Sequence, residues 1–140
     1  MTKRKNTKAP PGTWFERDMF ESKAYHALTG WAPQLLTIFL SKRKFQNNGR
    51  AGKEKRILLN KDDIPMTAIE AKTRFGITQP RFTRAIDQLL EKGFITIIHH
   101  GGAFKQDKSI YGLSDEWMLW RAGMTVERRP ADGVKRGWQK

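Results

Sequence analysis

The chain of 140 residues contains no cysteine, so disulfide bonds and thiolate metal sites are excluded. It also lacks a long apolar segment, because the longest largely apolar run, residues 35–40, is far shorter than the roughly 20 residues that cross a bilayer. The basic amino end has no apolar core of the kind found in signal peptides. We therefore expect a cytoplasmic protein without a membrane partner.

Groups for catalysis are scarce as well. The sequence has no nucleophile paired with a base, no phosphate-binding loop and no metal-ligand spacing. His99 and His100 are adjacent, but neighbours on a strand point to opposite faces and cannot easily share a metal. Asp62 and Asp63 lack a third ligand at a coordinating interval, so we interpret them as capping and charge balance. We expect no catalytic residue, no cofactor and no metal site.

Acidic residues are about half as frequent as basic ones. The 27 Lys and Arg against 14 Asp and Glu give a formal charge of +13 and a pI near 10.3. Such a charge on a chain of one domain's length is typical of nucleic-acid-binding proteins, whose cations neutralise phosphates. The alternative is that the charge serves only solubility.

The distribution of charge and apolar periodicity predicts three regions. Residues 1–12 contain four cations and no acid and end in Pro-Pro-Gly, which predicts a disordered basic arm. Residues 13–123 carry the apolar periodicity and form the expected domain. Residues 124–140 combine turn residues with further cations and show no periodicity, so we expect a flexible basic tail.

Two helices are predicted in the first third of the domain. Ser22 can cap a short helix that directs Tyr25 and Leu28 to the core, and Thr29 can cap the next helix with Pro33 in its first turn. The apolar face of that second helix consists of Leu35, Leu36, Phe39 and Leu40. This broad face makes it the expected scaffold of the domain.

A strongly basic segment follows this helix. From Ser41 to Lys61, eight cations stand against Glu54 alone, which is a net charge of +7 over 21 residues. The Asn-Asn-Gly at 47–49 and Gly52 predict an exposed loop, and residues 56–60 a short strand. Because solvated surfaces usually carry both signs, we expect this loop to contact phosphates. The candidate contacts are Arg50, Lys53, Lys55 and Arg56.

Residues 67–91 predict two helices joined by a tight turn. Thr67 and Glu70 form a capping box at the start of the first helix. Gly76 can adopt the positive φ that ends it, and Thr78 or Gln79 then caps the second helix, which has a proline in its first turn. The apolar stripe of the second helix consists of Phe82, Ile86 and Leu89.

A β-hairpin and a final helix are predicted after this pair. Gly93 ends the second helix, and residues 94–100 are rich in β-branched side chains. A Gly-rich basic segment and a returning strand at 109–113 complete the hairpin. Residues 114–123 have acids in the first turn and Arg121 in the last, which predicts a capped helix. We expect Trp117 or Trp120 to close the core and the other to be exposed as a homodimer surface, unless both fold back onto the domain.

The turn Gly76-Ile77-Thr78 and the helix exit Leu-Leu-Glu-Lys-Gly-Phe-Ile at 89–95 resemble the winged helix-turn-helix family of DNA-binding proteins. The resemblance covers residues 57–113, and a weaker similarity at 22–44 is to small phage and plasmid proteins of this type, including replication-initiator domains. It implies an α+β fold, mainly α, with three to four helices, a small antiparallel sheet and a C-terminal helix. The strand at 56–60 would be the third strand of that sheet.

In this family the second helix enters the major groove, where Arg can form a bidentate contact to guanine and Gln to adenine. The resemblance implies sequence-specific binding of double-stranded DNA, in transcriptional regulation or in replication initiation. The expected recognition residues are Thr78, Gln79, Arg81, Thr83 and Arg84. The expected contacts from the hairpin tip are Lys105 and Lys108. Two alternatives stay open, namely an RNA- or ribosome-associated protein and a winged helix used as a protein-interaction module.

Overall fold

The computed structural model describes residues 11–53, 55–102 and 107–129. Lys105, most of the predicted arm and residues 130–140 of the predicted tail lie outside these ranges. The first half consists of α1 (Arg17–Phe20), α2 (Lys23–His26), α3 (Ala32–Ser41), β1 (Phe45–Asn48), β2 (Lys55–Leu58) and β3 (Ile64–Pro65). The second half consists of α4 (Ala68–Phe75), α5 (Gln79–Glu91), β4 (Ile95–His99), β5 (Ile110–Leu113) and a 3-10 helix (Glu116–Leu119). The chain is an α+β protein with small antiparallel sheets.

The core forms between α3 and α5. Leu35, Leu36 and Phe39 are fully buried, as the apolar face of α3 predicts, and Leu89 of α5 is buried with them. Burying each of these side chains contributes about 1.5–3 kcal/mol, so this contact fixes how α5 lies in the domain. None of the helices in the described ranges is long and apolar enough to cross a membrane.

The strands form two separate sheets, which differs from the prediction. The strand expected at 56–60 is present as β2, but it pairs with β1 and not with the strands of the second hairpin. The third strand of that other sheet is β3, so its order is β3-β5-β4. Asn60 accounts for the difference, because its side chain accepts from the backbone of Lys44 and donates to the carbonyl of Lys42, at 2.7 and 2.9 Å. The predicted basic loop is thereby a β1–β2 ribbon.

The two helices and the tight turn lie where they are predicted. The Thr67 hydroxyl accepts from the backbone N–H of Glu70 at 3.0 Å, which is one half of the predicted capping box. The Glu70 carboxylate pairs with Lys42 and Arg74 and does not form the other half. Gly76 has a φ of +70° and ends α4. Thr78 occupies the cap position of α5, although its side chain makes no capping hydrogen bond. The ends of the two helices and the turn between them therefore follow from local signals.

Of the two other predicted helix caps, Ser22 is confirmed and Thr29 is wrong. Ser22 caps α2 as expected, with its hydroxyl accepting from the backbone of Tyr25 at 3.1 Å. Thr29 does not cap α3, which begins three residues later after Trp31. Its hydroxyl and its backbone N–H both donate to the side-chain oxygen of Gln88 on α5, at 3.3 and 2.8 Å, so its side chain is directed to α5 and not to the start of α3.

The predicted C-terminal helix is much shorter than expected. Only Glu116–Leu119 is helical, and it is a 3-10 helix. It lies directly against Gly93, which has a φ of +83°. A side chain at position 93 would place its Cβ only 2.7 Å from the Cβ of Glu116. Trp117 is buried and stacks on Phe94 with ring centroids 6.0 Å apart. One tryptophan thus closes the core, and Trp120 is half-buried.

Candidate nucleic-acid interface

The outer side of α5 is the centre of the candidate interface. Its buried side chains are Phe82, Ala85, Ile86, Leu89 and Leu90. The predicted apolar stripe therefore faces the core, and on a 3.6-residue helix Arg84 lies roughly opposite to it. Gln79 and Arg84 are both exposed, whereas Thr83 is half-buried beside the stripe. The cationic side of α5 is thus available to a partner.

One flank of α5 is bordered by the residues before α3. The guanidinium of Arg81 lies over the ring of Trp31, 5.5 Å from its centroid. Farther along, Gln88 accepts from the backbone of Thr29 at 2.8 Å and donates to its carbonyl at 3.1 Å. Arg81 is thereby held at the edge of the outer side, where its charge stays exposed.

The other flank of α5 is bordered by residues 124–129, which the sequence assigns to the tail. The backbone of Val126 donates to the carbonyl of Glu91 at 2.8 Å. Arg129 forms two hydrogen bonds with the carboxylate of Asp87, at 2.7 and 3.1 Å. The carboxylate of Asp87 is therefore paired with a cation.

Arg84 lies between these two flanks. Within the described ranges it takes part in no ion pair with a carboxylate. Asp87 follows one helical turn later, close enough to interact with Arg84, but Arg129 already holds it. The guanidinium of Arg84 is therefore free to donate to an external acceptor, and a planar fork of donors suits a base edge or a phosphate.

The ion pairs of Glu70 fix α4 relative to α3. Lys42 lies 2.7 Å from the Glu70 carboxylate and also donates to the carbonyl of Pro65 at 3.0 Å, while Arg74 lies 3.2 Å from the same carboxylate. Burial raises the pKa of Glu70, but the hydrogen bond and charge of Lys42, with help from Arg74, outweigh it, so the pKa lies below its ordinary value. This ionised carboxylate ties the first turn of α4 to Lys42 at the end of α3.

The β1–β2 ribbon displays most of the predicted phosphate-binding cations. Arg50, Lys53 and Lys55 are exposed at its tip and outer strand. Arg56 is held differently, because its guanidinium lies 4.3 Å from the ring centroid of Trp14 and 5.1 Å from that of Phe45. Arg56 therefore fastens the ribbon to the N-terminal segment while its charge adds to the local positive field.

Arg43 supports the same ring stack from the base of the ribbon. Its guanidinium lies 4.8 Å from the ring centroid of Trp14 and 5.4 Å from that of Phe45. It also donates to the Glu16 carboxylate at 2.7 Å and to the Trp14 carbonyl at 2.6 Å. Two of the eight cations in this segment, Lys42 and Arg43, are thus engaged in ion pairs within the chain.

The base of the second hairpin is fixed by a histidine. The Nε2 atom of His99 lies 2.6 Å from the carboxylate of Asp107, whose side chain is only 6 % exposed. Lys108 is exposed and lines a groove against the first turns of α4 together with Asp107. Within the described ranges, no cluster of His, Cys, Asp and Glu could hold a metal. The predicted Lys105 lies outside those ranges.

Several features of the interface have no local sequence signal. Trp31 lies far from Arg81 in the sequence, and Arg129 lies far from Asp87, so neither pairing follows from spacing. The stack of Trp14 on Phe45, with centroids 4.8 Å apart, likewise joins distant segments. Only the outward direction of Arg84 could be derived from helical periodicity.

No family model matches this chain, and no curated protein or solved structure is significantly similar to it. The chain's own residues therefore carry the functional proposal.

Proposed function

We propose that this chain is a sequence-specific double-stranded DNA-binding protein with a winged helix-turn-helix architecture. The order α3, β3, α4, α5, β4, β5 and the sheet order β3-β5-β4 support that architecture. The observation that carries the function is the outer side of α5, where Arg84 is exposed and has no carboxylate partner in the described ranges. A net charge of +13 supplies the attraction to phosphates.

In this proposal α5 enters the major groove with its first turns against the bases. Arg84 is the principal base contact, because its fork of donors fits the N7 and O6 atoms of guanine. Gln79 stands at the first turn, where its amide fits adenine, with Thr78 and Thr83 beside it. Arg81 is a phosphate contact, since its stacking on Trp31 holds it at the edge of the helix.

The remaining cations contact the DNA backbone in this proposal. Lys108 extends from the second hairpin, and Arg50, Lys53 and Lys55 extend from the β1–β2 ribbon. Lys105, which the sequence predicts as a contact, belongs to the same proposal. Arg56 adds to the positive electrostatic potential but does not contact DNA directly, because the rings of Trp14 and Phe45 hold its guanidinium. Contacts of this kind set the register of a protein on the duplex without specifying sequence.

The proposed role is transcriptional regulation or the initiation of replication in the cytoplasm, with no catalytic step. A homodimer through the C-terminal 3-10 helix belongs to the same proposal. Met118 and Leu119 support it, because they are 60 % and 71 % exposed on that helix. A dimer would bind two half-sites about one helical turn apart, roughly 34 Å, and sedimentation of the free protein would detect it.

Binding of the full chain to DNA and RNA at several salt concentrations tests this function. A duplex binder should prefer double-stranded DNA to structured or single-stranded RNA, and its affinity should fall steeply as salt rises. A preference for RNA would favour the ribosome-associated alternative. Binding to neither would favour a protein-interaction module.

The variant Arg84→Ala tests the assignment to α5, with Arg17→Ala as the control that removes the same charge from exposed α1. We expect Arg84→Ala to lower affinity for a preferred duplex by about 1–3 kcal/mol and Arg17→Ala to have little effect. Equal effects of the two variants would mean that α5 does not face the bases.

A further inference from the structure

The β1–β2 ribbon has two unlike faces. Its register pairs Phe45 with Leu58 and Asn47 with Arg56, and these side chains share the face that packs on Trp14. The alternate residues point the other way. They form what we term the open face, which consists of Gln46, Asn48, Lys55 and Ile57.

The open face is exposed along its whole length. Gln46, Asn48 and Lys55 are exposed, and Ile57 is 41 % exposed. Within the described ranges, the amides of Gln46 and Asn48 form no hydrogen bond, in contrast to Asn60 at the ribbon base. The ribbon therefore presents two free amides, an ammonium group and one apolar side chain on a single surface.

The ribbon is held firmly enough to present that surface in one orientation. An isolated two-stranded hairpin is at best marginally stable in water. Here the packed face is fastened by Arg43 and Arg56 over two aromatic rings, and such contacts contribute about 0.5–1 kcal/mol each at exposed sites. Asn60 closes the base through two further hydrogen bonds. Most residues of the two strands are exposed, so the ribbon adds little to the core.

We propose that the open face is a second base-contacting element, which lies in a groove of the same DNA duplex that α5 binds. This inference rests on the proposed function. A major groove about 12 Å wide admits a two-stranded ribbon, and Gln and Asn amides form bidentate contacts to adenine. Ile57 has the apolar surface that packs on a thymine methyl group, so the face as a whole matches A·T base pairs.

The charges around the open face fit the same partner. Lys55 lies on the open face itself, and Arg50 and Lys53 lie at the ribbon tip, where all three are exposed. They can contact the phosphates on both sides of the groove while the amides contact the bases. Charged side chains alone would keep this surface soluble, so solubility does not explain two free amides beside an exposed isoleucine. The ribbon thus supplies affinity through its tip and specificity through its face.

The test is the double variant Gln46→Ala/Asn48→Ala in the full chain, with Asn47→Ala as the matched control. Asn47 lies on the same strand and is exposed, but it points to the packed face. Affinity is measured at one salt concentration for the preferred duplex and for a random duplex. We expect the double variant to lose about tenfold or more on the preferred duplex and much less on the random one, with the control unchanged.

A second variant, Lys55→Gln, tests the phosphate contact of the ribbon. It should weaken both duplexes alike and reduce the slope of log affinity against log salt by about 0.9. If the double variant and Asn47→Ala bind equally well, the open face does not contact bases and the inference is wrong. That result would not affect the proposed role of α5, which Arg84→Ala tests separately. If the double variant loses affinity and Arg84→Ala does not, the ribbon is the base-contacting element and the proposed role of α5 is wrong.

Discussion

The contact of Arg129 with Asp87 leads to a prediction about how residues 124–129 act on DNA binding. Two hydrogen bonds of 2.7 and 3.1 Å pair Arg129 with Asp87, the acidic residue one helical turn after Arg84 on α5. Arg129→Ala would release the carboxylate of Asp87 from Arg129, close to Arg84 and on the surface that we propose to face phosphates. It would also remove one cation from the interface.

The expected effect on folding is small and the expected effect on binding is larger. Both side chains are about 40 % exposed, at 42 % and 38 %, so solvent screens the pair and its loss should change the free energy of unfolding by less than about 1 kcal/mol. Beside the DNA polyanion, however, an unpaired carboxylate is repelled. We expect affinity to fall about tenfold, which corresponds to about 1.4 kcal/mol.

A double-mutant cycle separates the two causes. Asp87→Asn removes the unpaired charge, so Arg129→Ala should have little effect in that background if the pairing is what matters. Fluorescence anisotropy with the preferred duplex gives the affinities, and thermal unfolding confirms that the variants fold. An equal loss in both backgrounds would refute the role of the pair. A gain in affinity for Arg129→Ala would show instead that residues 124–129 cover α5.

Two further predictions concern stability. Gly30→Ala should lower the free energy of unfolding by about 1–2 kcal/mol, because Gly30 has a φ of +58° and an added Cβ would meet no other atom. Gly93→Ala should lower it by about 1–3 kcal/mol more, because the added Cβ would also clash with Glu116. Urea unfolding of the two variants compares these costs. The lowered pKa of Glu70 means that the folded state binds its proton less readily than the unfolded state. Its stabilisation is complete above the ordinary Glu pKa of about 4.3 and is lost as pH falls below it through the folded-state pKa. Glu70→Gln should remove this part of the acid dependence of unfolding, and an unchanged dependence would contradict the assignment.

The elements that the sequence predicts well are those set by neighbouring residues. Thr67 bonds the N–H three residues ahead, and Gly76 has the φ that ends α4, so both positions follow from local chemistry. The apolar stripe of α5 is buried for a similarly local reason, since its spacing places it on one face.

The elements that the sequence predicts poorly depend on distant partners. Thr29 is a residue type that caps helices, but its hydroxyl donates to Gln88, which is distant in the sequence. The acid and base pattern after Ser114 is typical of a longer helix, yet packing against Gly93 leaves only a 3-10 helix there. The β1–β2 ribbon likewise depends on the rings of Trp14 and Phe45, whose contact no periodicity reveals.

The same distinction applies to the candidate interface. Helical periodicity places Arg84 on the outer side of α5, so that residue could be chosen from the sequence. In the proposed function, the choice between a base contact and a phosphate contact follows from the position of Arg81 over Trp31 and of Arg56 over Trp14, and these contacts join distant segments. The sequence therefore predicts a set of candidate residues but not the separate role that we propose for each.

Selection of duplexes from a random pool, carried out in parallel with the natural chain and with Arg84→Ala, tests the central claim most directly. If the outer side of α5 contacts bases, the natural chain should enrich one preferred sequence, and Arg84→Ala should still bind duplexes but lose the preference at one base pair. Enrichment of the same sequence by both proteins, or of none by the natural chain, would contradict the claim.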